Sequence, residues 1–306
     1  MTVDTGWPSE LHDRIDRWLQ VQAQQRVALA FVDGRRYPGH YALAALEQEM
    51  LDAAYGAREP QVVASKLQWW VAELAEAPAT GGRHPLTNVL FAEPRARAIP
   101  VEVWTAPALA AMAQLEQGTA ADFQAQLAAA APLHRALATL ETRWWYGADA
   151  SVEHAARVAT LSHLLHALRR LPEEADRDRM PLSMARLAQY GLSRDGLRQA
   201  SAGRNLAVQA QLRDLLHGWQ ASDRLPGPLS VFRAVESRAN RRLARRALAA
   251  RDGMSALAAG PARPGVLETL RTWRAAVAWR RADPTAGQAR TDAGVPEQGR
   301  SGPAGH

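Results

Sequence analysis

The sequence predicts an all-α protein, a single helical domain over residues 8–282 followed by a disordered C-terminal tail over 283–306. Three observations predict it. Ala, Leu, Arg, Gln and Glu, all strong helix formers, dominate the body of the chain. Apolar residues recur three and four apart, as in Leu11, Ile15, Trp18, Leu19 and in Leu161, Leu164, Leu165, Leu168, with no sustained alternation of period two. Glycine and proline break the chain at intervals that leave room for about eight or nine helices of ordinary length.

Taken in order, the first helix carries Leu11 to Leu19 and is followed by the Asp33-Gly34 turn. An alanine-rich stretch runs to Pro60, and the next reaches the Pro78 to Pro85 breaks. His84 to Phe91 is a short apolar segment ahead of Pro94 to Pro100. The helical pattern resumes up to Gly147, and the stretch bearing Leu161 to Leu168 ends at Pro172. Pro181 and Gly191 bound short pieces, and longer ones precede Pro226 to Pro228 and Gly260 to Gly265. From about Asp283 the chain turns to Gly, Pro, Thr and Arg without apolar period, the composition of a disordered segment. No internal repeat or composition shift inside 8–282 marks a second domain.

Composition excludes several function classes. The 306 residues include no cysteine, which removes disulfide scaffolds, thiolate metal sites and cysteine nucleophiles. The longest uncharged run, Val103 to Leu115, is too short to span a bilayer. The N-terminal MTVDTGWPSE has no basic-then-apolar pattern, so a cytoplasmic protein is expected. The net charge is +6, and Lys66 is the only lysine, so nearly all positive charge is arginine. No recognised nucleic-acid module accompanies it, and nucleic acid is not an expected partner. Phosphate-binding glycine loops, HExxH and GxSxG are all missing. His163 and His166 have a helical spacing that suits a metal, but no third ligand is evident, and a packed or surface pair is the simpler account. Trp69-Trp70 and Trp144-Trp145-Tyr146 read as core filling; adjacent helical residues point about 100° apart, so one of each group is free to line a cavity.

Two stretches carry a family resemblance. His40 to Ala77 followed by His84 to Phe91 combines an alanine-rich helix, a Lys66-Leu67-Gln68-Trp69-Trp70 segment and a His-Pro loop. Leu161 to Ser193 contains Leu168, Arg169, Glu173, Glu174, Arg179, Leu182, Leu187 and the ending Tyr190-Gly191-Leu192-Ser193. In order and spacing these resemble the squalene/phytoene synthase family, the head-to-head prenyltransferases of the isoprenoid synthase type. Leu229 to Ala249 and Leu267 to Ala276 resemble that family's last helices. The match covers most of residues 30–280.

The resemblance implies a pocket between helices that binds two prenyl diphosphates, with Mg²⁺ ions held by two Asp-rich motifs. Such motifs need carboxylates one helical turn apart, facing one cation. The metal polarises the leaving diphosphate, and an apolar, aromatic-lined cavity shields the carbocation. Here the first motif falls on Leu51 to Tyr55, where Asp52 remains and Glu49 is a stand-in. The second falls on Arg170 to Glu174: its first acid is arginine, its second is Glu174, and Pro172 between them weakens the helical alignment. His163 and His166 stand where the family has Gln and Asn, and the family's Val-Ala-Gly-x-Val-Gly segment has no counterpart around Glu141 to Val158. A unit charge pair at 4 Å is worth about 4 kcal/mol at an effective dielectric near 20, and a divalent ion doubles it. Arg170 therefore turns an attraction for Mg²⁺ into a comparable repulsion. Asp52, Glu49 and Glu174 form an incomplete metal set, and no cofactor is expected unless the enzyme is active, when it would be Mg²⁺.

Two functional readings follow. The favoured one is a member whose Mg²⁺-dependent condensation is lost and whose fold serves as a lipid-binding or assembly module with a protein partner. The alternative is an active prenyltransferase on farnesyl or geranylgeranyl diphosphate, in which Arg169, Arg170 and Arg179 contact phosphate oxygens directly. The first is favoured because Mg²⁺ drives ionisation as well as binding, and arginine supplies only binding. Arg35 and Arg36 either hold a phosphate or simply follow the Asp33-Gly34 turn. Glu49 and Arg179 are equally accounted for as ordinary ion pairs. Arg238, Arg241, Arg242, Arg245 and Arg246 share one helical face opposite Val235, Ala239, Leu243 and Ala247. That face is either a solvated outer surface or a peripheral contact with anionic membrane.

Overall fold

The computed structural model describes residues 9–115, 118–262 and 264–283, and the expected disorder from residue 284 onward lies outside the described residues. Within them the chain forms fifteen α-helices, one 3₁₀ segment (Ala23–Ala30) and no strand. The helices are α1 (Ser9–Val21), α2 (Pro38–Tyr55), α3 (Pro60–Thr80), α4 (Pro85–Ala92), α5 (Pro94–Arg97), α6 (Val101–Gln114), α7 (Phe123–Tyr146) and α8 (Glu153–Arg169). They continue as α9 (Leu171–Asp176), α10 (Met184–Gln189), α11 (Arg194–Arg198), α12 (Ala202–Ser222), α13 (Val231–Ala249), α14 (Gly253–Ala258) and α15 (Val266–Ala282).

The count exceeds the eight or nine expected because the breakers start helices as well as end them. Prolines open α2, α3, α4 and α5 at their first turn, where a missing N–H costs nothing and φ is already helical. Side chains of Asp122, Ser183, Ser193, Ser201, Ser230 and Asp252 accept backbone N–H bonds at the N-termini of α7, α10, α11, α12, α13 and α14. Pro78, taken as a break, lies inside the last turns of α3, and Gly81 in the left-handed region (φ 84°) ends that helix.

Two apolar cores share α7 and α13. The first gathers α1 to α6 and α15 with Leu133, Leu137, Leu140, Trp144 and Trp145 of α7 and Val231, Phe232 and Val235 of α13. The second gathers α8 to α12 and α14 with Leu127 of α7 and Leu243, Ala244 and Ala247 of α13. The Trp144-Trp145 pair is core: both are buried, and with Trp279 and Tyr37 they box in the buried His40 ring, Trp145 at 4.3 Å between centroids. Burial and the nearby Arg95 keep His40 neutral, its pKa far below the usual value.

Two polar clusters fix helix positions. Arg233, only 4% exposed, donates to Glu47 on α2 (2.7 and 2.8 Å), to Glu141 on α7 (2.9 Å) and to Glu236 one turn on (3.1 Å). Glu73 of α3 accepts from the backbone N–H groups of Arg83 and His84 and from the Thr87 hydroxyl, latching the loop before α4. Burial raises the Glu73 pKa, but these bonds outweigh it and hold the carboxyl at about 2.

The arginine face of α13 is largely spoken for. Arg238 and Arg242 both reach Glu268 of α15, Arg241 reaches Asp223, and Arg246 donates to the Gly260 carbonyl. Its cations are thus largely paired with neighbouring elements rather than forming a free cationic stripe, although Arg242, Arg245 and Arg246 remain exposed.

Candidate functional site

A cleft of about 640 Å³ opens where the C-terminal halves of α2 and α8 meet the N-terminal part of α7 and the segment running from α9 to Pro181. It is lined by Gln48, Leu51, Asp52 and Tyr55 of α2, Gln126, Ala129 and Ala130 of α7, and His163, Leu164, His166, Ala167 and Arg169 of α8. Arg170, Glu173, Glu174, Asp178, Arg179 and Met180 complete the mouth, and Ala258 of α14 touches the rim. Two sequence stretches more than a hundred residues apart thus supply opposite walls, and Asp52, Glu174, Arg169, Arg170 and Arg179 line one space.

Glu49, Arg35 and Arg36 do not line it. Glu49 turns to α1, where Arg14 (2.7 Å) and Arg17 (3.4 Å) hold it. Arg35 lies in the Asp33 turn, its backbone N–H donating to Asp33, and Arg36 sits over the Tyr37 ring at 5.3 Å. Neither aromatic group lines the cleft: Trp70 is buried and Trp69 faces solvent.

Three acids of the cleft, Asp52, Glu174 and Asp178, are already engaged, while Glu173 is exposed at its mouth. Glu174 receives Arg179 at 2.6 Å and Arg177 at 3.6 Å. Arg179 also donates to the Tyr55 carbonyl at 2.6 Å, tying α2 to the loop after α9. Asp52 accepts from Gln48 at 2.9 Å; burial raises its pKa, the nearby Glu49 adds to that, and Gln48, Arg17 and Arg170 oppose it. Asp178, in the left-handed region at φ 61°, joins Arg58 (2.7 Å) and Arg194 (2.6 Å). Pro172 divides the second motif: α8 stops at Arg169, Arg170 is the junction, and Glu174 belongs to α9. Among the described residues no three His, Asp or Glu side chains gather in a metal-binding group. Asp52 is hydrogen-bonded to Gln48, Glu174 is clamped between two guanidinium groups, Asp178 is paired with Arg58 and Arg194, and Glu173 stands exposed at the mouth, a set that does not fit a multi-Mg²⁺ cluster.

The cations differ. Arg169, half-buried, donates only to the Leu257 carbonyl (3.4 Å), and burial lowers its pKa with no carboxylate to offset it. Among the described residues no carboxylate lies in ion-pair contact with Arg169 or Arg170. Deeper in, His163 stacks between Tyr55 and His134, with centroids at 4.6 and 4.5 Å, and His166 lies 3.9 Å from Glu236. Burial holds His163 at about 4 and His166 at about 3, so both are neutral at pH 7; nearby arginines push the same way. Gln126 and Gln114 are pinned by bonds to the Pro181 and Ala129 carbonyls. These inner residues were visible in sequence only as a histidine pair; His134 and the two glutamines gave no signal because nothing in their spacing marks a cleft.

The apolar space between α2, α3, α6 and α7 is closed. Leu43, Leu46, Met50, Leu74, Trp104, Pro107, Leu137 and Leu140 enclose about 10 Å³, which is about one water. The 640 Å³ cleft is within the range that takes one ligand of moderate size.

No family model matches the chain, and no curated protein matches it in sequence. Solved structures do match in shape. A squalene synthase, HpnC, from Alicyclobacillus acidocaldarius superposes with a TM-score of 0.53 at 16% identity, over 82% of this chain and 94% of that one. A dehydrosqualene synthase in complex with ligand gives a TM-score of 0.62 at 11% identity, over 89% of this chain and 97% of that one. The chain therefore has the all-α fold of the squalene and dehydrosqualene synthases, the isoprenoid synthase type that the two sequence stretches resemble.

Proposed function

We propose that the chain is a squalene/phytoene synthase relative that binds one isoprenoid diphosphate, or a lipid with a similar anionic head, without Mg²⁺ and without condensing it. The observation that carries the reading is the charge arrangement of the cleft. Among the described residues Arg169 and Arg170 line it with no carboxylate in ion-pair contact, Arg170 acting on Asp52 only at longer range, while Glu174 is neutralised by Arg177 and Arg179. Arg169 is half-buried and Arg170 exposed at the mouth, and a guanidinium without a counter-ion favours an arriving phosphate, which its fork fits bidentately. No helix among the described residues is long and apolar enough to cross a membrane, and a cytoplasmic protein that takes its ligand from a membrane surface fits this reading.

In this mechanism Arg169 and Arg170 hold the head group, Arg179 keeps the cleft mouth in shape through Tyr55, and Leu51, Ala129, Leu164 and Ala167 cover the first part of the chain. The neutral imidazoles of His163 and His166 offer polar edges without adding charge. Titration with farnesyl diphosphate should give the same affinity in EDTA and in Mg²⁺. Arg169→Ala with Arg170→Ala should weaken it at least about tenfold, since a hydrogen bond to a charged group contributes roughly 1.5–3 kcal/mol. Release of diphosphate that depends on Asp52 and Mg²⁺ would overturn the proposal in favour of an active prenyltransferase.

A further inference from the structure

Among the described residues nothing covers the outer face of the last helix, α15. Val266 is 81% exposed, Leu267 74%, Trp273 47% and Leu270 44%. Val266, Leu270, Trp273 and the half-buried Val277 follow each other at spacings of four, three and four, so they form one stripe along α15, flanked by Leu267. The charges on this face are all positive: Arg271, Arg274, Arg280 and Arg281 are exposed. The helix's one acid, Glu268, is turned inward, 3% exposed, and clamped by Arg238 and Arg242 of α13. The opposite side, Thr272, Ala276 and Trp279, is buried in the bundle.

From this we infer that α15 lies on an anionic lipid bilayer, with Leu267, Leu270 and Trp273 dipping into the head-group boundary and the arginines on lipid phosphates. Leucine and tryptophan alternating with arginine is the composition of an interfacial helix, and charge complementarity selects an anionic surface. A helix of 17 residues is about 26 Å long, enough to lie in the plane and too short and charged to cross. The position suits the cleft. Ala258 touches the cleft rim, and eight residues onward Val266 begins the exposed stripe, a reach of at most about 28 Å. A bilayer under α15 therefore brings lipid within one short connection of Arg169. This surface stands independently of what the cleft binds.

Flotation with vesicles of phosphatidylcholine alone, or mixed with phosphatidylglycerol, tests it; neither contains an isoprenoid. The full chain should float with the mixed vesicles and not with the neutral ones, and high salt should release it. Arg271→Gln with Arg274→Gln should lower partitioning about thirtyfold, from the usual contribution of two basic side chains at such a surface. Leu267→Ser with Leu270→Ser should abolish it while leaving the melting temperature unchanged, since both side chains face outward. Arg169→Ala with Arg170→Ala should float like the parent protein, which separates this surface from the cleft. Absence of flotation, or flotation indifferent to the α15 substitutions, would overturn the inference. So would a dimer in solution that the Leu267/Leu270 substitutions dissociate, which would make the face a contact between copies.

Discussion

Glu236 shares one buried arginine with two other glutamates, and its ionisation should be measurable as a pH-dependent loss of stability. Around Arg233 stand Glu47, Glu141 and Glu236, three acids to one base, all withdrawn from water. Burial is the largest influence on Glu236 and pushes its pKa up from 4.5 to about 7, against the pull of Arg233 and with the push of Glu47 and Glu141. Burial likewise raises Glu47. A carboxyl whose pKa is higher in the folded state binds its proton more tightly there. Its stabilising effect is complete below pH 4.5 and disappears as pH climbs through about 7. A rise from 4.5 to about 7 corresponds to about 3 kcal/mol as an upper figure. Glu236→Gln keeps the shape and an acceptor for Arg233 but cannot ionise. Urea unfolding of parent and variant at pH 5 and pH 8 is the assay. The buried histidines His40, His134, His163 and His166 have lowered pKa values and give the opposite slope, stability present above pH 6.5 and lost on acidification. They are common to both proteins, and only His166 lies against Glu236 (3.9 Å), so the difference between the two curves reports Glu236 together with that one contact. The variant should gain on the parent between pH 5 and pH 8, by up to about 3 kcal/mol. Curves that stay parallel across that range would refute the reasoning.

Three further outcomes are expected. Arg179→Ala removes the guanidinium that joins Glu174 to the Tyr55 carbonyl, and should cost about 1–3 kcal/mol in chemical denaturation because both acceptors lose a charged donor. Glu73→Ala leaves the Arg83 and His84 N–H groups and the Thr87 hydroxyl without their acceptor; a loss of about 2–4 kcal/mol, read by thermal melting, follows from the donors it strands. Arg170→Asp replaces a repelling charge by a further carboxylate at the cleft mouth. Mn²⁺ binding followed by electron paramagnetic resonance should tighten by at least tenfold over the parent, and equal affinity would mean that charge at position 170 does not govern cation access.

The helical class was legible because apolar residues three and four apart have only one efficient way to be buried, and the Leu161 to Leu168 run forms the inner face of α8 as its spacing required. The number of helices was not, since Pro60, Pro85 and Pro94 look like breaks in sequence but act as first-turn residues. The convergence of Asp52 with Arg169, Arg170, Glu174 and Arg179 on one cleft followed from the resemblance. The fate of each charge did not. Glu49 is as close to Asp52 in sequence as a ligand should be, yet Arg14 and Arg17 draw it to α1. The arginines of α13 shared a face in sequence, and only the packing of α15 reveals that Glu268 occupies two of them. Spacing reports which way a side chain points, and pairing depends on what another helix brings to meet it.

Trp104 has a consequence for how the molecule behaves empty. Its indole, fully buried, sits on Phe91 and Trp144 and donates to the Ala96 carbonyl, plugging the greasy half of the bundle from within. A scaffold that is its own stopper has no dewetted hollow there to collapse, and under the reading proposed above a ligand entering or leaving the neighbouring cleft leaves this half of the bundle packed as it is.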